Sequence, residues 1–151
     1  MTVQRLCFWS VLLCICLAAV APGGDAKGGN KDAKKVLGTW KIETAELGGK
    51  PFPDEVAKTI TLVLTADKYT VTVGDKKDEG TWKNDPTKKP RTLDITGTQG
   101  PNEGKTFLAI YEVKDDTLRI CYDLSGKARP KEFKTEPNTA LFLVEYKRQK
   151  P

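Results

Sequence analysis

The stretch ITLVLTADKYTVTV (residues 60–73) decides the fold. On both sides of Ala66 and Asp67, apolar side chains occupy every second position, which is typical of β-strands with one buried face. If Ala66 and Asp67 form a two-residue loop, the two halves make a hairpin whose apolar side chains share one face, as a consistent register requires. The predicted pairs are Ile60 with Val73, Leu62 with Val71, and Leu64 with Tyr69.

A second hairpin is predicted over residues 104–124. Its turn is the Asp-Asp pair at 115–116, because Asp tolerates the dihedral angles of tight turns. On the outer face Glu112 meets Arg119, an exposed ion pair worth on the order of a few tenths of a kcal/mol. The other predicted pairs are Val113 with Leu118, Tyr111 with Ile120, Ala109 with Tyr122 and Phe107 with Leu124 on the inner face, and Ile110 with Cys121 on the outer face.

Four further strands follow from the same pattern, at residues 37–47, 78–84, 91–96 and 139–148. Glycine, proline, asparagine and aspartate separate them, and a short helix is predicted over residues 53–58. Eight strands joined mostly as hairpins leave two edge strands with unpaired main-chain groups unless the sheet closes on itself. The sequence therefore predicts an all-β fold, a small eight-stranded antiparallel up-and-down barrel, with a β-sandwich as the alternative.

The N-terminal residues have the pattern of a secretory signal. Arg5 precedes an apolar run at residues 6–20, and the small and helix-breaking residues 21–24 follow it. A membrane span needs about 20 apolar residues, and this run is shorter, which argues against a transmembrane anchor. We expect cleavage after Ala26. A lipoprotein cut inside the run is the weaker alternative, because a bulky residue precedes each cysteine there.

These observations divide the chain into three parts. Residues 1–26 are the predicted signal peptide, residues 27–34 (KGGNKDAK) are expected to form a flexible tether, and residues 35–150 are the barrel domain. The mature protein is expected to be secreted or periplasmic and to lack a transmembrane segment.

The predicted mature chain is poor in side chains that serve catalysis or bind metals. Cys121 is the one cysteine of four beyond the signal, so no internal disulfide can form. The chain has no histidine, and Ser125 is the one serine after the signal. A nucleophile therefore lacks its usual base, and zinc lacks its usual ligands. We expect no catalytic residue, no metal and no cofactor.

Asp94 is the carboxylate with the strongest claim to a special role, because it stands in mid-strand between Leu93 and Ile95. Simple alternation favours an outward position for it, beside Thr92 and Thr96. An inward Asp94 would be a buried carboxylate in need of a partner. The candidate partners are Arg91, Arg119 and Arg129.

The net charge of the whole chain is +5, and removal of the signal takes away one base and one acid and leaves it unchanged. Basic residues cluster at 83–91 and at 127–134. Nucleic-acid sites usually add exposed stacking aromatics and a stronger bias, so we expect no nucleic acid as a partner. A protein or an anionic envelope polymer is a better candidate, and an ordinary solvated surface is the simplest interpretation.

Gly38-Thr39-Trp40 in the first predicted strand and Arg148 at the end of the last form a pattern similar to that of lipocalins. That resemblance implies that Arg148 lies over Trp40 and closes the barrel base through a cation–π contact of about 0.5–2 kcal/mol. Further motifs are LGTW (37–40), GTWK (80–83), DPTKKPRTLDIT (85–96), QGPNEGKT (99–106), AIYEV (109–113), DTLRICY (116–122), ARPKEF (128–133) and YKR (146–148). In this order they resemble an uncharacterised family of secreted lipocalin-like domains typical of planctomycete-type bacteria. The resemblance implies a fold and export, and it names no ligand.

The apolar stripe on the inner face of the predicted barrel is the best candidate for a functional site, because apolar pockets suit hydrophobic ligands. The alternative interpretation is a packed scaffold that binds partners through the loops at 86–91 and 126–133, since small barrels are often filled by their own side chains. The stripe includes Ile42, Ile60, Val71, Phe107, Phe142 and Val144. The residues predicted to bind a small apolar or amphipathic ligand are Trp40, Leu62, Tyr69, Trp82, Tyr111, Ile120 and Tyr122.

Overall fold

The segments with a period of two all form antiparallel strands in the computed structural model, which describes residues 29–150. Two short helices accompany them, α1 (Gly29–Val36) and α2 (Asp54–Ala57). The strands are β1 (Gly38–Leu47), β2 (Lys50–Pro51), β3 (Ile60–Leu64), β4 (Lys68–Val73), β5 (Lys76–Asp85), β6 (Arg91–Gln99), β7 (Thr106–Lys114), β8 (Thr117–Asp123) and β9 (Leu141–Arg148).

The sheet closes into an eight-stranded antiparallel barrel. Each strand from β3 to β8 pairs with the next along the chain, β1 pairs with β3, and β1 also pairs with β9. The β1–β9 ladder runs from Trp40–Arg148 to Leu47–Phe142, with one irregularity between Ile42 and Thr44. The two-residue strand β2 only extends β1 at its end. Closure covers the two edges that an open sheet would expose.

Both predicted hairpins have the expected register. Ile60 pairs with Val73 and Leu64 with Tyr69 across the loop at Ala66 and Asp67. In the second hairpin Tyr111 pairs with Ile120, and the Arg119 guanidinium lies 3.3 Å from the Glu112 carboxylate. Helix α2 also lies within the range predicted for it. Short loops fix register locally, which is why these features can be predicted from neighbouring residues alone.

Cys121 pairs with Ile110 on the outer face of the sheet, as the register predicts. Both side chains are nevertheless fully buried. The reason is the outer loop (residues 124–140), which connects β8 to β9 and folds over this face. The Cys121 thiol lies 3.5 Å from the main-chain oxygen of Lys134, to which it donates a hydrogen bond.

The segment preceding the barrel differs from the sequence-based prediction. A flexible tether was expected over residues 27–34, but residues 29–34 belong to helix α1. The helix is held at its end, because Val36 is buried in the core and its main-chain oxygen accepts a 2.9 Å hydrogen bond from the Trp40 indole. The predicted signal peptide and its cleavage site lie outside the described residues. Neither α1 nor α2 is long and apolar enough to span a bilayer.

Candidate functional site

One end of the barrel is closed by Arg148 and Trp40. The guanidinium carbon of Arg148 lies 4.1 Å from the centroid of the Trp40 ring system, which is the contact that the resemblance to lipocalins implies. The guanidinium also donates hydrogen bonds to the main-chain oxygens of Leu37 (2.7 Å) and Lys35 (2.6 Å). The side chain therefore ties the last strand to the segment between α1 and β1. We call this end the closed end.

The conformation of Gly38 and the space beside it explain why a glycine stands two residues before Trp40. The φ angle of Gly38 is +129°, a conformation that residues with a side chain rarely adopt. A Cβ atom at this position would lie 2.9 Å from Nη1 of Arg148. The glycine thus provides both the backbone turn and the room that the guanidinium needs above the indole.

The middle of the barrel is packed. Five of the seven residues predicted to bind a ligand are buried in the middle of the barrel or, for Trp40, at its closed end, and they do not line the cavity at the opposite end. Besides Trp40, whose indole donates to Val36, two of them are held by hydrogen bonds: the Trp82 indole donates to the oxygen of Thr65 (3.0 Å), and the Tyr111 hydroxyl accepts from the Asn84 amide (2.7 Å). The five residues are Trp40, Leu62, Trp82, Tyr111 and Ile120.

The other end of the barrel contains an apolar cavity of about 410 Å³, within the size range of small-molecule sites. We call this end the open end. Tyr69 and Tyr122 of the predicted ligand-binding set line the cavity. Further lining residues come from the predicted apolar stripe, from strands β6 and β9, from the β1–α2 connection and from the β6–β7 loop: Ile42, Phe52, Ile60, Val71, Ile95, Pro101, Asn102, Phe107, Phe142 and Tyr146.

An apolar rim surrounds the mouth of this cavity. Leu47, Val73 and Leu124 line the cavity and are each between 36% and 38% exposed. Among the described residues, Val56 is the one other large apolar side chain with comparable exposure. Exposed apolar groups gathered at one opening are unusual on a soluble surface and often mark a binding site.

Asp78 is the one acid among the described residues that line the cavity, and it is 9% exposed. Its Oδ2 accepts hydrogen bonds from the Tyr69 hydroxyl (2.9 Å) and the Asn102 amide (3.1 Å). Its Oδ1 accepts from the main-chain N–H of Asn102 (3.0 Å). These three residues form a polar patch on a mostly apolar wall, and the bonds fix the position of the carboxylate.

The phenols of the cavity stay protonated. Burial, together with the hydrogen bond to Asp78 and the negative charge of that residue, raises the pKa of Tyr69 well above its usual range. Burial also raises the pKa of Tyr122, and it raises the pKa of Tyr146 to about 12. The Tyr122 and Tyr146 hydroxyls lie 3.5 Å apart. All three groups are therefore neutral hydrogen-bonding groups at physiological pH.

Gly80 makes room for the Tyr69 ring. The two residues face each other in the β4–β5 ladder, and a Cβ atom on Gly80 would lie 2.6 Å from Cε1 of Tyr69 and would collide with the main-chain oxygen of Thr96. The second Gly-x-Trp of the sequence, Gly80-Thr81-Trp82, thus serves the open end, where it lets the tyrosine reach Asp78.

Asp78 and Asn102 were not among the predicted site residues. A signal for Asp78 exists in β5, because Asp78, Gly80 and Trp82 alternate and so share the inner face. A charged residue at an inward position normally argues against burial, which hides this signal. Asn102 lies in the β6–β7 loop, where no periodic pattern predicts where a side chain points.

The outer loop carries the second cluster of predicted residues. The Arg129 guanidinium pairs with Asp94 at 2.5 Å and donates to the main-chain oxygens of Ala109 (2.7 Å) and Leu93 (3.2 Å). Asp94 thus points outward, as alternation predicts, and one of its candidate partners binds it there. Lys88 and Lys89, in the β5–β6 loop, are exposed.

Asp123 holds the start of the outer loop. Burial raises the pKa of its carboxyl group, but hydrogen bonds from Ser125, Ala128 and Lys127 outweigh this effect and lower the pKa overall. Within the described part of the chain, no three histidine, cysteine, aspartate or glutamate side chains gather closely enough to hold a metal ion.

The chain was compared with protein-family models, curated proteins and solved structures. No protein-family model matches the chain, and no curated protein matches it. The crystal structure of a DUF4847 family protein from Bacteroides vulgatus is similar over 76% of this chain and 94% of that chain, with 16% sequence identity and a TM-score of 0.46. That degree of similarity transfers neither a ligand nor an activity to this chain.

Proposed function

We propose that this protein is an exported, lipocalin-like binding module that holds a small apolar or amphipathic molecule in the cavity at the open end of its barrel. The observation that carries the proposal is the cavity itself, about 410 Å³ in volume and bounded by an exposed apolar rim. A barrel that served only as a scaffold would have no need of this space, which forfeits packing contacts among its own side chains.

The difference between the two ends supports the same proposal. At the closed end Arg148 seals the barrel over Trp40, and the middle is filled by buried aromatic and aliphatic side chains. In the part of the chain that the structure describes, a ligand therefore enters through the rim formed by Leu47, Val73 and Leu124. The apolar wall supplies affinity by removing the ligand from water, at roughly 25 cal/mol per Å² of apolar surface buried.

The export and the lipocalin-like character are proposals that rest on other observations. Residues 1–26 have the sequence pattern of a secretory signal, which supports a setting outside the cytosol. Arg148 lies over the indole of Trp40, which is the tryptophan of a Gly-x-Trp motif, and this position supports the lipocalin-like assignment.

The test is ligand binding with the cavity open and with it filled. Native mass spectrometry of the protein from its own host identifies any molecule that copurifies, and titration with decanol measures binding of a simple amphiphile. Val71 lines the cavity, so Val71→Phe should fill part of it and weaken decanol binding by about tenfold or more. Val63→Phe is the matched control, because Val63 alternates with the core residues Leu62 and Leu64 and lies on the outer face of β3.

Two results would count against a ligand-binding role. One is a protein that arrives empty and whose melting temperature is unmoved by fatty acids, alcohols and isoprenoids. The other is decanol binding that Val71→Phe and Val63→Phe weaken equally. Either result would favour the alternative proposal, that the protein binds a protein or an anionic polymer through its basic loops. Charge reversal of Lys88 and Lys89, which are exposed, would test that alternative.

A further inference from the structure

We propose that the cavity selects amphipathic organic cations, and that the Asp78 carboxylate binds an ammonium N–H of the ligand. This inference rests on the proposed function, because it assigns the polarity of the ligand in the same cavity. The three hydrogen bonds from Tyr69 and Asn102 occupy three of the roughly four acceptor positions of a carboxylate. The position left open belongs to Oδ1, which accepts one bond from Asn102, whereas Oδ2 accepts two.

Asp78 forms no ion pair in the described part of the protein. Among the described residues, no lysine or arginine forms an ion pair with it, and its three donors are all neutral. A buried charge without a partner is unfavourable, and buried charges in proteins are usually paired. A cationic group entering the cavity would supply the missing charge and a donor for the open position, and such charge-assisted bonds are the strong ones.

The carboxylate is also fixed in place before any ligand arrives. Tyr69 remains protonated and donates to it, and Asn102 holds it with both its main-chain and its side-chain N–H groups. A ligand therefore meets an ordered acceptor and does not have to order a flexible side chain, which lowers the cost of binding. The apolar walls around the polar patch would hold the hydrocarbon part of the same molecule.

Two lysines at the mouth are the opposing feature. Lys76 and Lys77 line the cavity, and they would attract a carboxylate ligand. Both are exposed to solvent, and the Lys77 ammonium is already compensated by Glu79 at 2.5 Å. Exposed charges are screened by water and salt, whereas a buried charge is screened much less. Asp78 is therefore the buried charge of the cavity wall, and on this ground we expect a cation to be favoured over an anion.

The experiment compares decylamine, decanol and decanoate, which share a chain and differ in the charge of the head group. Binding to the wild-type protein is measured by isothermal titration calorimetry at neutral pH. We expect decylamine to bind about tenfold more tightly than decanol, and decanoate to bind no more tightly than decanol. In Asp78→Asn the advantage of decylamine should disappear, so that the ratio of the decanol to the decylamine dissociation constant falls from about ten to about one.

Asp75→Asn is the matched control, because Asp75 is an exposed acid in the β4–β5 turn and is not part of the cavity wall. It removes the same charge from the same region and should keep the preference for decylamine. If Asp78→Asn does not fold, the ranking of the three ligands on the wild-type protein still decides the matter.

The outcomes separate this inference from the proposed function. Decanol binding with equal or weaker decylamine binding would overturn the cation preference and leave the binding function standing. Tightest binding of decanoate would overturn it as well and assign the head group to the lysines at the mouth. No binding of any of the three ligands would overturn both proposals.

Discussion

The closed end of the barrel requires a residue without a side chain at position 38. The φ angle of Gly38, +129°, is strained for any other residue, and the Arg148 guanidinium occupies the space next to its Cα. We expect Gly38→Ala to lower the free energy of unfolding by about 2–4 kcal/mol, through backbone strain and a displaced Arg148. Urea denaturation followed by tryptophan fluorescence measures this loss.

Gly74→Ala is the control for that measurement. Gly74 also has a positive φ angle, +57°, but a Cβ atom there would meet no atom of the described residues within 4 Å. It should cost about 1–2 kcal/mol, from backbone strain alone. Equal losses in the two variants would show that the contact between residue 38 and Arg148 contributes nothing, and the closed end would then not depend on the space that Gly38 leaves.

Individual site residues were predictable only where alternation and residue type agree. Tyr69 and Tyr122 have largely apolar aromatic rings and stand at inward positions, and both line the cavity. Asp78 is at an inward position too, but its charge conflicts with burial, so the pattern alone assigns it to the surface. What resolves the conflict is the pair of donors from Asn102, which reach Asp78 across 24 positions of sequence.

The outer loop is the element whose role the sequence does not reveal. Residues 124–140 contain no alternating pattern, yet they bury Cys121 and Ile110 on the outside of the barrel. Arg129 fastens the loop to β6 and β7 through Asp94 and two main-chain oxygens. Because each of these contacts joins the loop to strands distant in sequence, local residue patterns could not predict that Arg129 holds the loop against β6 and β7.

The reactivity of Cys121 should report whether this loop is closed. Its thiol is buried, and burial raises its pKa, so little thiolate is available for reaction. We expect Arg129→Ala to speed labelling of Cys121 by a maleimide about tenfold or more, because the loop loses three hydrogen bonds and opens more often. Mass spectrometry of the peptide that contains Cys121 measures the rate.

Lys131→Ala serves as the control for the labelling experiment. Lys131 is an exposed residue of the same loop, and among residues 29–150 no hydrogen bond or ion pair joins its side chain to the barrel. The substitution should leave the labelling rate unchanged. If both variants label at the wild-type rate, Arg129 does not hold the loop closed, and the burial of Cys121 depends on other contacts.

The strands were predictable because their apolar side chains alternate and most of their connections are short, whereas the helix before them was not predictable. The sequence GNKDAKKV of α1 begins with glycine and asparagine and carries one large apolar side chain, Val36. Its order depends on contacts with the barrel, namely the Trp40 indole on Val36 and the Arg148 guanidinium on Lys35. The second of these contacts spans 113 positions, so local composition predicts a tether instead.

At the scale of the whole molecule, the barrel separates stability from binding. Arg148 and Trp40 close one end, the middle is solid core, and the cavity occupies the other end. A sequence pattern of period two predicts which side chains point inward but not how they divide between core and cavity. That division depends on side-chain volumes at each level of the barrel, which is why five predicted ligand-binding residues belong to the core.

This separation predicts opposite effects for two substitutions. Arg148→Met keeps an unbranched side chain but removes the cation–π contact and two hydrogen bonds, so it should lower the free energy of unfolding by about 2–4 kcal/mol. Its dissociation constant for decanol should stay within about twofold of the wild-type value, because the cavity is lined by other residues. Val71→Phe should weaken decanol binding about tenfold and change stability by about 1 kcal/mol or less, since the added ring enters empty space.

Denaturant unfolding and calorimetric titration of both variants, each under conditions where the protein is fully folded, provide the two measurements. If Arg148→Met weakened decanol binding as strongly as Val71→Phe, the two ends would be coupled through the packed middle of the barrel. Opening the closed end would then alter the cavity, and Arg148 would contribute to ligand binding as well as to stability. Independent effects would instead mean that the core isolates the two ends, so that residues of the rim and wall can vary with the ligand while the closed end maintains the fold.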